Sequence, residues 1–357
     1  MEFPVKEYIY NNRIYNLSAE AVGVVKGEKH FPVFEGNQIF KPLSKSKPFT
    51  TPMYAYSEVF WSHVIDKYFM AAPVYQLALC RGYEAGQPKY HDYGTTVPVI
   101  YDEGQKLKNL LEFFRSNPDK HVDIDNYINY CMMFYDYTDI FMSDFFKEHE
   151  GVACDLARHV LVSVLKGDQN YHYENVAFIC DEDDRIIKLA PMIDHEFSTY
   201  FMFPDNLKEH FYWLNELEKS ISGENVPEED YDKYKNPEEK QLAIKSATAL
   251  NKNLMYIKEH FPEVVNEFVG NMEKLKLDME SKPEDFYIIE NSAYPKVANS
   301  FMYIVGKARF KDKDENKAKE YEKIYCDMDE RIDFEFISKL IVAEIKKNID
   351  LIAEVLS

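Results

Sequence analysis

The chain has 357 residues, enough for two modest domains or one divided body with substantial cores. Its hydrophobic fraction of 46% speaks against disorder as the default. A formal net charge of -20 speaks against a nonspecific nucleic-acid or anionic-membrane surface, since such surfaces need clustered Lys and Arg. A nucleotide triphosphate would have to be held by local cations, metal ions and backbone N–H groups. The aromatic content of 15%, with 27 Tyr and 25 Phe, points to aromatic-rich packing with some Tyr hydroxyls left wet. Cys80, Cys131, Cys154, Cys180 and Cys326 are widely spread and form no CxxC pair, so reduced thiols and a cytoplasmic setting are expected. The opening MEFPVKEYIYNN has no basic region followed by an apolar one, and no stretch approaches the roughly 18–20 apolar residues of a membrane span. Neither a signal peptide nor membrane insertion is expected.

Residues 6–45 read as strand-rich, with an Asn-Asn turn in KEYIYNNRIYNL and a hairpin in HFPVFEGNQIFKPL turning at Glu35-Gly36-Asn37. Pro48 and Pro52 then break structure. Helical periodicity runs from Ser57, a plausible N-cap, to Phe69, with Phe60, Trp61, Val64, Ile65 and Tyr68 on one side. A strand near 72–80, a loop from Gly82 to Gly94 and a short strand TVPVIY complete a small mixed sheet with one helix. From Lys106 helices take over, beginning with a stripe of Leu107, Leu110, Leu111 and Phe114. An aromatic-rich helical segment follows over 125–147. Leu156, Ala157, Val160, Leu161, Val164 and Leu165 then make a buried helix that runs into Gly167. VAFIC and RIIKLAP are two strands joined by the acidic turn Asp181–Asp184, which reads as a solvated hairpin tip. Beyond 205 the chain is mostly helical, and Ile337, Leu340, Ile341, Ile345, Ile349, Ile352 and Leu356 share one face of the last helix. There is no internal repeat.

The segment from Gly167 to Asp194 carries the chemistry. A hairpin brings the residues flanking its strands together, so Asn175, just before the first strand, should meet Asp194, just after the second. Two oxygen ligands of this kind suit Mg²⁺ bridging phosphate oxygens. Taken alone, the pattern is equally well read as Asp194 capping a turn and Asn175 starting a strand.

Leu165-Lys166-Gly167, His172, Asn175, Leu189-Ala190-Pro191 and Asp194 stand in an order and spacing that resembles the HipA-like serine/threonine kinase family. The resemblance implies an α+β, bilobal protein-kinase-like fold. Residues 1–104 would be a β-rich, nucleotide-covering N-lobe with a small mixed sheet and one main helix. Residues 105–357 would be a larger, mostly helical C-lobe carrying the catalytic and metal hairpin 167–194. It implies ATP and Mg²⁺ as cofactors and a protein Ser/Thr hydroxyl as acceptor. It makes Asn175 and Asp194 the metal ligands, Lys41 the phosphate lysine and Glu58 its ion-pair partner. His172 becomes a residue that braces the loop, and Gly23 and Gly27 fall in a phosphate-covering stretch that lacks the full GxGxxG form. Without the resemblance, Lys41 is an ordinary edge-strand lysine and Glu58 a favourable charge in a first helical turn.

Two departures fall in the acceptor-facing half. Asn170 stands where the family has its catalytic Asp, and Tyr171 where it usually has Arg. Asn can hold a hydroxyl but cannot take its proton; Asn170, or Asp168 as the nearest carboxylate if this loop folds differently from the family's, would orient the acceptor. The alternative expectation is therefore a nucleotide-binding pseudokinase acting as a regulatory or protein-interaction module. Neither nucleic acid nor membrane is expected as a partner, and the sequence leaves the oligomeric state open.

Overall fold

The computed structural model describes residues 6–11, 33–34, 38–42, 52–84, 87–123, 135–201, 207–224, 237–289 and 334–357. Strands β1 (Lys6–Asn11), β2 (Val33–Phe34), β3 (Gln38–Pro42), β4 (Gln76–Glu84) and β5 (Gln87–Pro98) form one sheet in the order β1-β4-β5-β3-β2. The β1–β4 pair is parallel and the others are antiparallel, so the sheet is mixed, as expected. Helix α1 (Pro52–Tyr68) connects β3 to β4. Strand β2 pairs antiparallel with β3, Val33 opposite Ile39 and Phe34 opposite Gln38, while the expected turn at Glu35-Gly36-Asn37 lies outside the described residues.

The second part begins with β6 (Lys106–Asn109), which pairs with β7 (Ala177–Cys180), itself paired with β8 (Ile186–Leu189). Helices α2 (Leu110–Ser116), α3 (Thr138–Phe141), α4 (Asp144–Glu148) and α5 (Glu150–Lys166) lie between β6 and β7. Helices α6 (Leu207–Ser222), α7 (Pro237–His260), α8 (Pro262–Ser281) and α9 (Phe334–Leu356) follow. This is the α+β, two-lobed arrangement expected from the sequence: a small sheet with one helix, then a larger, mostly helical body. Among the described residues no helix is long and apolar enough to cross a membrane. Cys154 and Cys180 are free thiols.

Several local expectations are corrected. Helix α1 starts at Pro52, not Ser57; proline suits a first helical position because its missing N–H would have no partner there. Ser57 is instead a buried interior residue whose hydroxyl donates to the His195 carbonyl at 2.6 Å. The expected loop from Gly82 to Gly94 is mostly strand, because β4 and β5 pair along almost their whole length, from Gln76–Thr96 to Glu84–Gln87. Sheet pairing overrides the turn-forming composition there. Leu107 lies in β6 opposite Ile179, and the helix begins only at Leu110. Asn109 caps it: its side chain accepts from Glu112 N at 2.8 Å, while Glu112 accepts from Asn109 N at 3.3 Å. Of the segment 125–147, the described portion is two short helices rather than one.

Helix α1 is built into the larger body. The Phe60 and Phe201 rings lie 5.3 Å apart, Trp61 and Tyr200 6.0 Å, and Phe69 and Phe268 5.3 Å. At its far end Tyr68 donates to Asp278 on α8 at 2.5 Å. One continuous apolar core thus runs from α1 through α5 to α9, where Ile341, Ile345, Ile349, Ile352 and Leu356 are buried as the sequence stripe predicts.

Helix α5 stops at Gly167, which is left-handed with φ +57°. Its N–H returns to Val164 O at 3.0 Å, and Asp168 N–H returns to Ser163 O at 2.9 Å, the paired bonds of a Schellman ending. A Cβ at this position would sit 2.8 Å from Leu217 Cδ2 and 2.9 Å from Thr199 Oγ1. Gly167→Ala combines left-handed strain with two overlaps, and we expect a loss of about 2 kcal/mol or more. Urea unfolding should show a lower midpoint at unchanged slope; an unchanged midpoint would mean that the site relaxes freely.

Candidate functional site

The site is assembled from three elements. In the β3–β5 pair, Lys41 stands opposite Thr95, and directly opposed residues share a face of the sheet. Both side chains reach Glu58 in the second turn of α1. Lys41 Nζ donates to one carboxylate oxygen at 2.6 Å, and Thr95 Oγ1 donates to the other at 2.5 Å. The same ammonium contacts Asp194 directly and Glu196 at 3.2 Å. Lys41 is 17 residues from Glu58 in sequence and 153 from Asp194, so the contact joins the small sheet to the segment after the β7–β8 hairpin.

Asp194 has a left-handed backbone, φ +62°, which is uncommon for a residue with a Cβ. Its N–H donates to the Tyr75 hydroxyl at 3.2 Å. The hairpin brings Asn175 to it as expected, with Asn175 Nδ2 3.1 Å from Asp194 Oδ2. Asn175 thus turns its amide nitrogen, the end complementary to a carboxylate, toward Asp194, and the same nitrogen donates to Asn170 O at 2.8 Å. Asn170 Nδ2 lies 3.5 Å from Asp194 Oδ2. Asn170, Asn175 and Asp194 are therefore one cluster, adjoining Lys41 and Glu58.

Asp168 and His172 lie behind this cluster. Asp168 is buried; one oxygen accepts from Lys166 Nζ at 2.6 Å and the other from Asn170 N–H at 2.9 Å. His172 is buried beneath the loop, where its Nδ1 accepts from Glu174 N–H at 3.2 Å and its carbonyl accepts from Asn175 N–H at 2.8 Å. Tyr171 turns into the core, with its hydroxyl 3.2 Å from His159 Nδ1. Gly23 and Gly27 lie outside the described residues. At the hairpin tip, Asp181 accepts from Asp183 and Arg185 N–H, and Asp184 pairs with Lys106 at 3.1 Å.

Sequence reasoning missed Glu196, Thr95 and Tyr75. Glu196 had a weak signal, a second carboxylate two positions after Asp194. Thr95 and Tyr75 had none, since their roles depend on sheet register and on the path of the chain after α1.

Three carboxylates around one ammonium set the electrostatics. Burial alone would lower the Lys41 pKa, but Asp194, Glu196 and Glu58 outweigh it and hold the ammonium well above its ordinary range. Burial raises Glu58, with Lys41 opposing. Burial would also raise Asp194, but Lys41 in direct contact holds it below the usual carboxylate range. Glu196 is pushed up to about 7 by burial, with Lys41 opposing and Asp194 and Glu58 adding.

Oxygen atoms of Glu58, Asp194 and Glu196 lie within 4.8 Å of one another, so this carboxylate cluster could hold a metal ion. The donor set is all hard oxygen, which suits Mg²⁺ or Mn²⁺ rather than a thiophilic metal. Lys41 touches all three carboxylates, Thr95 also engages Glu58, and Asn175 also engages Asp194.

No family model matches the chain, and no curated protein matches it. Among solved structures, the crystal structure of a Helicobacter pylori proinflammatory kinase, CtkA, aligns with 82% of this chain and 90% of its own. The identity is 13% and the TM-score 0.39, and the match gives no residue of this chain a role.

The Glu196 shift predicts a pH dependence. Its folded-state pKa is raised from 4.5 to about 7, so between those values the folded chain keeps a proton that the unfolded chain has released. Stability should fall as pH rises through that window. Glu196→Gln removes the effect: in chelator-treated buffer it should exceed the parent by on the order of 2 kcal/mol near pH 8 and match it near pH 4.5. Urea unfolding at both pH values checks this; an equal gap at each would show that Glu196 does not hold the proton.

Proposed function

We propose that the chain is an ATP- and Mg²⁺-dependent phosphotransferase of the HipA-like kinase type, acting in the cytoplasm on a protein Ser/Thr hydroxyl. Residues 1–104 would cover the nucleotide, and residues 105–357 would carry the catalytic and metal hairpin. The observation that carries this reading is the direct contact of Lys41 with both Glu58 and Asp194. Phosphoryl transfer needs a positioned cation for the phosphates and a carboxylate for the metal within one site, and little covalent chemistry from the protein.

In this reading Lys41, aimed by Glu58, supplies the fixed positive charge for the nucleotide phosphates. Asp194 and Asn175, with Glu196 beside them, would hold the divalent cation, which neutralises phosphate charge when bound. Asn175 would present its carbonyl oxygen to a cation, a half-turn of the amide from its present orientation. His172 braces the loop between Asn170 and Asn175. Asn170 orients the acceptor hydroxyl by hydrogen bonding. Asp168 supports it from behind, since Lys166 and the Asn170 N–H engage its two oxygens.

One observation favours a second reading, a nucleotide-binding pseudokinase that regulates a protein partner. Asn170 has no carboxylate to receive a proton, and the nearest one, Asp168, is buried against Lys166. General-base help is worth roughly 10²–10⁴ in rate. Its loss slows transfer without weakening nucleotide binding.

Calorimetric titration with ATP, with and without Mg²⁺, tests the shared premise. The parent chain should bind in a metal-dependent way, and Asp194→Ala should lose at least about tenfold in affinity. Folded parent protein that fails to bind removes both readings. If binding holds, Asn170→Asp should speed transfer of labelled γ-phosphate to a Ser/Thr-rich protein mixture by about 10² or more. Binding without transfer in either form would select the regulatory module.

A further inference from the structure

Lys166, the last residue of α5, has a fully buried side chain, and the proposed chemistry makes no direct use of it. An ammonium out of water needs a charged partner and filled donor positions. It finds them on two different segments. Lys166 Nζ lies 2.6 Å from Asp168 Oδ2 and 3.0 Å from His195 Nδ1. An ammonium has donors and no acceptor, so the contact with His195 uses Nδ1 as the accepting ring nitrogen.

Each partner is joined to a site residue. The second Asp168 oxygen accepts the Asn170 N–H at 2.9 Å. His195 lies between Asp194 and Glu196, and its carbonyl is fixed by Ser57, the neighbour of Glu58. The backbone adds support: Gln169 N–H donates to Phe197 O at 3.0 Å, and Thr199 N–H to Gly167 O at 2.9 Å. Those bonds pair the two segments alongside Asp168, and Asn175 Nδ2, which reaches both Asn170 O and Asp194 Oδ2, joins them on the hairpin side, so Lys166 supplies the buried tie.

We infer that Lys166 is a positioning residue that clamps the Asp168–Asn170 loop to the Asp194–Glu196 segment, fixing the spacing between the acceptor-facing and metal-facing halves of the site. The inference rests on the function proposed above for what that spacing serves. The clamp itself is a property of the folded chain. Two features suit Lys166 to it: the Schellman ending at Gly167 fixes its backbone, and its length reaches both partners from the helix end.

The test is the pair Lys166→Met/Asp168→Asn. It removes both charges together, so no unpaired charge stays buried, and Asn keeps an acceptor for the Asn170 N–H. Hydrogen exchange by NMR should then accelerate about tenfold at both Asn170 and Asp194, with α8 amides unchanged. ATP–Mg²⁺ affinity should fall by about tenfold as the spacing loosens. Unchanged exchange at Asp194 overturns the clamp, and so does faster exchange with unaltered affinity in a chain whose parent binds. A parent chain that does not bind ATP removes the proposed function instead, and exchange at Asn170 and Asp194 alone then decides the clamp.

Discussion

The structure around the site depends on one ammonium facing three carboxylates. Glu58, Asp194 and Glu196 converge in a partly buried space, where like charges within a few ångströms repel strongly. Without a cation among them, the usual outcome is protonation or separation. Lys41 makes the convergence tolerable: against burial it holds Asp194, in direct contact, below the usual carboxylate range, while burial, with Asp194 and Glu58 adding, pushes Glu196 up to about 7. A lysine reaching from a sheet to a helix and a distant loop requires all three to be rigid. The aromatic contacts of Phe60 and Trp61 with the larger body supply that rigidity, since Glu58 lies within one turn before them on α1. The hydrophobic core thus acts on the site by fixing where Glu58 can be.

The two halves of the site are built differently. On the sheet side, each polar group of Glu58 and Lys41 is matched by a direct charged or hydroxyl partner. On the hairpin side, Asn170 and Asn175 supply amides, and Asp168 is buried with its two oxygens taken by Lys166 and the Asn170 N–H. A site of this kind is stronger at holding charge than at moving a proton. Under the proposed function, that imbalance would separate affinity for a nucleotide with its metal from the rate of any transfer.

Much of this was legible in the sequence where a local rule dominates. The α5 stripe ending at Gly167, the short strands of the β7–β8 hairpin and the face of α9 follow from period and turn chemistry, and each of these elements is found in its expected place. The meeting of Asn175 and Asp194 follows from hairpin geometry alone. The errors arose where partners distant in sequence decide the outcome. Residues 82–94 have loop composition, yet the β4–β5 pairing holds 82–84 and 87–94 extended, with β1 on the other edge of β4 at Gly82 and Tyr83. Ser57 looked like a cap because serine precedes an apolar run, whereas its hydroxyl serves the His195 carbonyl from inside the helix. Glu196 was missed for a related reason. A glutamate two residues past an aspartate is unremarkable until a lysine from another element is placed between them.

The same geometry bears on how a ligand would enter under the proposed function. Polyphosphate approaching the present arrangement meets an ammonium already satisfied by three carboxylates, so its attraction to Lys41 is offset by repulsion from Asp194 and Glu196. A divalent cation meets the opposite field, because those two carboxylates are its natural ligands and Lys41 is the group it displaces. With Asp194 and Glu196 holding a metal, Lys41 would keep Glu58 and regain free donors for phosphate oxygens. Metal and phosphate would each favour the arrangement that the other needs, and by linkage the coupling between them would be reciprocal. The carboxylate crowding that makes the resting site costly is thus what would make nucleotide binding depend on the metal.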